Sequence, residues 1–190
     1  GDIYEGDLCQ GEKTGQGLYQ FANGNVYEGE FYEDQRNGLG VFTFADGNRY
    51  EGEFLNGKIC GNGTLYYSDS TGIVTLTAFW NKPNEFPDEA SIIFPNGDCY
   101  EGPLVNGEPT AEGVWFSIDP QTGRERFIES LSGINDYYKA HRETFNKIVL
   151  YTSLALSAID IAATIAAPAT GGASLAVSAA IKAVKASAKV

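Results

Sequence analysis

"YEGEFYEDQRNGLGVFTFADGNR", residues 27–49, is the stretch whose reading decides the fold. Its opening phrase returns as Tyr50-Glu51-Gly52-Glu53-Phe54, and a variant precedes it as Tyr4-Glu5-Gly6-Asp7-Leu8. The spacing is 23 residues both times. A fixed period of this length marks a repeat architecture, in which each unit buries its apolar face only against its neighbours. A further unit opens at Tyr100-Glu101-Gly102-Pro103-Leu104, 50 residues after Tyr50. Thr75-Leu76-Thr77-Ala78-Phe79 fills that gap as a degenerate copy, so five units start near residues 4, 27, 50, 75 and 100.

Each unit has a second half. Gly15-x-Gly17, Gly38-x-Gly40 and Gly61-x-Gly63 stand 11 residues after their tyrosines, with Ala111-x-Gly113 as a weaker copy. Aromatic or apolar residues follow two and four positions later, as in Phe42 and Phe44. Asn23-Gly24, Asp46-Gly47 and Asn96-Gly97 then read as hairpin turns of type I′, which need positive φ at both central residues. Residues two apart share one face of a strand. Tyr27, Gly29 and Phe31 therefore point one way, and Glu28 and Glu30 the other. One sheet face carries rings and glycines, and the other carboxylates. The missing glycine side chains leave room for a ring from a neighbouring strand to lie flat on the backbone. A lone hairpin cannot bury such a face, so stacked hairpins should build one elongated, twisted antiparallel sheet.

These units resemble the MORN repeat (membrane occupation and recognition nexus), whose pattern of about 23 residues runs Y-x-G-x-[WF], N-G-K, G-x-G, an aromatic and D-G. Asn56-Gly57-Lys58 matches its middle element. The resemblance covers roughly residues 2–118, with Pro103 in place of an acidic or polar residue. Proline removes a ladder donor, which predicts that its strand is an edge and that the sheet ends there. The resemblance implies a protein-interaction platform, in some members self-associating and in others found beside membranes.

Composition changes near residue 128. Residues 1–127 carry 21 acidic and 7 basic side chains, whereas residues 128–190 carry 4 and 6. An acidic array repels phosphate, which argues against nucleic acid as a partner. Glycine supplies 20 of the first 127 residues and three of the rest. From Ile148 to Ala167 runs IVLYTSLALSAIDIAATIAA, with Asp160 as its single charge. Helical spacing predicts a helix over about 134–167, a break at 168–172 and a second helix over 173–190. Together with the sheet at 1–127, the expected class is mainly β plus α.

The aspartate would disfavour a membrane span, and Ser153, Ser157, Asp160 and Thr164 form one narrow polar stripe. These helices could pack on the ring face, on copies of themselves, or in lipid. Leu150, Leu154, Ile161 and Ile165 would then carry assembly or membrane contact, with Lys182, Lys185 and Lys189 meeting anionic headgroups. If no helix covers the ring face, Tyr27, Phe31, Phe42, Tyr50 and Phe54 become the contact residues.

Converging reactive groups are missing. His141 is the single histidine, on a helical pattern with Tyr138 and Phe145. Cys9, Cys60 and Cys99 are scattered and odd in number, which suits neither a disulfide framework nor a zinc site. The G-x-G pairs lack the third glycine of a dinucleotide loop and the lysine of a P-loop. The expectation is a non-enzymatic scaffold with protein partners and self-assembly into a homo-oligomer or filament. It needs no cofactor and no metal. The alternative is a membrane-associated or membrane-inserting module working through residues 134–190. A regulatory module of an enzyme is a third reading. A chain without methionine that starts at Gly1 also fits a processed, exported structural protein or an excised piece.

Overall fold

A computed structural model of the chain describes residues 1–69, 72–83, 85–118, 121–122 and 125–127, together with Asn146, Val149 and Thr152. The described residues form one open antiparallel sheet of 12 strands. Its strands are β1 (Ile3–Cys9), β2 (Glu12–Gln20), β3 (Val26–Tyr32), β4 (Gln35–Thr43), β5 (Arg49–Leu55) and β6 (Lys58–Asp69), followed by β7 (Gly72–Trp80), β8 (Glu89–Ile93), β9 (Asp98–Val105), β10 (Glu108–Pro109), β11 (Val114–Ile118) and β12 (Glu125–Phe127). Sequence neighbours are spatial neighbours throughout, except that β10 and β11 both pair with β9. Apart from Asn146, Val149 and Thr152, the predicted helices over 134–167 and 173–190 lie outside the described residues, as do Leu150, Leu154, Ile161, Ile165, Lys182, Lys185, Lys189 and His141. Asn146, Val149 and Thr152 have α-helical backbone.

The glycine pair sets each hairpin. Gly6 faces Gly17, Gly29 faces Gly40, and Gly52 faces Gly63 across their strands. The unit's tyrosine lies over that pair, as the sequence predicts. A methyl on Gly63 would come within 2.5 Å of Tyr50 Cζ, and one on Gly40 within 2.5 Å of Tyr27 Cε2. Each tyrosine hydroxyl then donates to the carbonyl three residues on: Tyr4 to Asp7 at 2.9 Å, Tyr27 to Glu30 at 2.9 Å and Tyr100 to Pro103 at 2.6 Å. The buried phenol therefore keeps a partner, which a buried hydroxyl needs.

Three details of the sequence reading change. The type I′ turns are not at Asn-Gly and Asp-Gly. Gly24, Gly47 and Gly97 have positive φ there, whereas Asn23, Asp46 and Asn96 do not. Gly24 donates to the Phe21 carbonyl and Phe21 to that of Asn25, which is a three-residue loop. Paired positive φ falls instead at Gln10-Gly11, Glu33-Asp34, Asn56-Gly57 and Asn106-Gly107, the tips within each unit.

The fourth unit starts one residue later than the sequence spacing suggests. Gly63 faces Ala78 and Leu65 faces Leu76, as Gly40 faces Gly52 and Phe42 faces Tyr50. Leu76 therefore occupies the tyrosine place and Thr75 the opposite face, since a shift of one residue exchanges faces. Ala78 faces Ala90 in this hairpin, where other units pair two glycines. Leucine has no ring to lay over the pair, so a methyl fits.

Pro103 is not on an edge. Its strand β9 lies between β8 and β11. Leu104 donates its N–H to Asp88 on the β8 side, so alternation turns the proline nitrogen toward β10 and β11. There the pairing is already interrupted between Glu101–Val114 and Leu104–Pro109. No ladder donor is lost.

Candidate interaction surface

Packing on the ring face runs from hairpin to hairpin. The tyrosine of one unit meets the Phe place of the next edge-on: Tyr4 with Phe31 at 5.3 Å, Tyr27 with Phe54 at 5.1 Å and Tyr50 with Trp80 at 5.4 Å. Within units Tyr27 meets Phe31 and Tyr50 meets Phe54 in the same geometry. Edge-to-face pairs add about 0.5–1.5 kcal/mol each beyond buried area. The Arg36 guanidinium crosses this column, 5.4 Å from the Phe42 ring centre, and donates to the Gly57 carbonyl at 2.6 Å. Lys13 takes the same place in the first unit, over Tyr4 and Tyr19, and pairs with Asp34 at 2.7 Å. Tyr27, Phe42 and Tyr50 are 0% exposed, Phe54 2% and Phe31 6%. The five rings expected as contact residues if uncovered are thus core, and hold the hairpins to one another.

Both ends of the hairpins carry their own repeated hydrogen bonds. Asp2, Asn25 and Asn48 accept from the backbone N–H of Ala22, Ala45 and Ser68 at 2.8, 3.0 and 2.9 Å. These three acceptors stand 23 residues apart, two before each tyrosine. Reading the sequence for hydrophobic period misses them; the period itself was the available signal. The acidic residue three after each tyrosine is also structural. Asp7, Glu30 and Glu53 accept from the N–H of Gln16, Leu39 and Asn62. Each carboxylate sits over a glycine, and Gly38 (φ 85°) would place a methyl 2.7 Å from Glu30 Cδ. That acid closes the bulge in the hairpin. Pro103 supplies no carboxylate, and the last unit's second strand is split there into β10 and β11.

The opposite face is the open one. Register places Glu5, Leu18, Glu28, Val41, Glu51 and Thr64 in one row across β1–β6. Thr77, Ser91, Glu101 and Val114 continue it across β7–β11. Carboxylates on alternate strands stand about 9.6 Å apart. Beside the row Leu39 is 63% exposed and Phe79 58%. Near Phe79 an open groove of about 570 Å³ is lined by Asn81, Asp88, Glu89, Ser91 and Glu101 as well. Arg49, a cation on this face, pairs with Glu51 at 2.8 Å and stacks 4.3 Å from the Tyr66 ring centre.

Cys9 is exposed, Cys60 half-buried and Cys99 buried. Burial, then Glu53, pushes the Cys60 thiol above its ordinary value. Among the described residues no group of three His, Cys, Asp or Glu side chains could hold a metal ion. No helix among them is long and apolar enough to cross a membrane.

No curated protein matches the chain. The MORN repeat family matches at residues 4–26, 27–49 and 50–72. Each match takes in one of the hairpins β1–β2, β3–β4 and β5–β6 to within a residue at its start, and antiparallel pairing continues into β7–β8 and β9–β11. Residues 4–72 of this chain are three consecutive MORN repeats.

Proposed function

We propose that the chain is a non-enzymatic scaffold whose acidic outer face receives a protein partner, while residues 128–190 join copies of the chain. MORN repeats are protein- and membrane-interaction modules. The observation that carries the reading is the division of the sheet: the rings of its inner face are buried, while Leu39 and Phe79 stand exposed among carboxylates on the other. Aromatic and aliphatic side chains in a polar surround are what a protein interface offers. The partner would bring basic side chains to the glutamate row. Residues 150, 154, 161 and 165 would form the assembly contact. The lysines at 182, 185 and 189 favour a second reading, adhesion to an anionic membrane surface.

One experiment separates the two. The intact chain and a version ending at Gly133 are compared by light scattering and by flotation with anionic and neutral vesicles. Large particles from the intact chain alone, without flotation, support assembly. Flotation of the intact chain alone moves the reading to the membrane. Equal, small particles that never float overturn both roles for residues 134–190.

A further inference from the structure

The outer face holds a guanidinium at one place and offers the means to hold one at another. Arg49 lies against the Tyr66 ring, 4.3 Å from its centre, and pairs with Glu51 at 2.8 Å. Ring and carboxylate there stand on the neighbouring strands β6 and β5. A guanidinium suits such partners, because its flat face stacks on a ring while its edge donates to carboxylate oxygens.

The groove beside Phe79 has the same parts without the cation. Thr77 pairs with Ser91 and Ala78 with Ala90, so Phe79 on β7 stands beside Glu89 on β8. Ser91 pairs in turn with Glu101 on β9. Ser91 and Gly102 carry too little side chain to fill the space between ring and acid, which leaves the opening of about 570 Å³. Strands β7 and β9 are about 9.6 Å apart, room for a guanidinium plane between the Phe79 ring and the Glu101 carboxylate. Phe79 is 58% exposed. Among the described residues, neither the Glu89 nor the Glu101 side chain has a hydrogen-bond or ion-pair partner. Asp88 already accepts from Asn81 at 2.6 Å, and Lys82 pairs with Glu85 at 3.5 Å.

The geometry points to this groove as the seat of one arginine side chain from a basic segment of a partner protein. The guanidinium stacks on Phe79 and donates to Glu101 and Glu89. This site rests on the outer face being the one a partner meets. Charge favours an outside source: with all 13 lysines and arginines counted, the chain keeps a net charge of −12, a field that draws in a basic partner. Lysine fits less well, since its ammonium is a point charge without a face to stack.

The test titrates the full chain with a fluorescein-labelled peptide of alternating arginine and glycine, beside lysine and citrulline versions, and reads anisotropy at physiological salt. The expected result is saturable binding of the arginine peptide, about fivefold or more tighter than the lysine one, with the citrulline one inert. Phe79→Ala should weaken it about tenfold or more, and Phe79→Leu, which keeps apolar bulk but removes the π face, about threefold or more. Glu101→Gln should weaken it about fivefold or more, whereas Glu28→Gln, on β3 of the same face, should change it less than about twofold. Phe79 and Glu101 are exposed, so these variants should keep the fold, which thermal unfolding checks. Equal losses from Glu28→Gln and Phe79→Ala would overturn the groove while leaving the outer face as the interface. Binding indifferent to every one of these changes would overturn both. No binding, or equal binding of the arginine and lysine peptides, would overturn the arginine site. So would binding that appears only in an Arg142→Gln variant, because the chain would then fill its own groove.

Discussion

The Tyr50 ring occupies the space that a side chain on Gly63 would need, with Tyr50 Cζ 2.5 Å from the place of the missing Cβ. These two residues lie on neighbouring strands, β5 and β6, and explain why tyrosine and the second glycine of G-x-G travel together through the repeats.

Gly63→Ala should therefore destabilise the sheet by about 1–3 kcal/mol, the usual range for overpacking. The fourth hairpin supplies the compensation, since Leu76 there stands with Ala78 and Ala90. In a Tyr50→Leu background the same Gly63→Ala change should cost at least about 1 kcal/mol less. Urea unfolding of the four proteins in the cycle measures this coupling. Additive effects would show that ring and glycine are not in steric contact.

Arg36 is 4% exposed within the ring column, yet the equivalent place in the third unit holds Ile59, 1% exposed. The repeat thus accepts an aliphatic side chain where it accepts a guanidinium. Replacing a buried charge by an apolar group of similar volume is often neutral or stabilising. Arg36→Ile should change stability by less than about 1 kcal/mol, while Arg36→Ala, which leaves a cavity, should cost about 2 kcal/mol or more. Denaturant midpoints at equal m-values decide the comparison.

Glu33 and Asp34 form a turn with φ of 48° and 64°, where the third and fifth units use Asn-Gly. A left-handed conformation costs a residue other than glycine about 1–2 kcal/mol, and asparagine less. Glu33→Asn should raise stability by about 0.5–1 kcal/mol. Asp34→Gly should gain less than its backbone relief, because it removes the Lys13 ion pair at 2.7 Å. Thermal unfolding of both variants provides the check.

The phenols predict alkaline behaviour. Burial raises Tyr27 and Tyr50 far above the ordinary value, and burial followed by the Asp2 hydrogen bond pushes Tyr19 up to about 12. A raised folded-state value means that the folded chain holds its proton longer. This stabilisation is whole below about pH 10, where unfolded tyrosine titrates. It is lost as pH rises through 12 and beyond. Phenolate absorbance should show the exposed phenols ionising first. The buried ones should ionise together with loss of the β-sheet circular dichroism. Ionisation of all 11 tyrosines near pH 10 with the sheet intact would refute their burial.

The 23-residue period, the G-x-G pairs and the alternation of rings with acids sufficed to read an antiparallel array of hairpins from the chain alone. Those features are local, because the strand period and the space left by glycine act within one hairpin. Tertiary structure decided what depends on register. It placed Leu76 rather than Thr75 in the tyrosine slot, because β7 must lay its apolar side on β6. It gave the I′ geometry to Gln10-Gly11 and its equivalents, because pairing of Cys9 with Glu12 leaves only two residues for that turn. It put Tyr27, Phe31, Phe42, Tyr50 and Phe54 inside, because each ring also packs on a ring of a neighbouring hairpin, a contact that no single repeat contains. It also turned Glu30 and Glu53 into bulge closures, while Glu28, Glu51, Leu39 and Phe79 lie on the outer face.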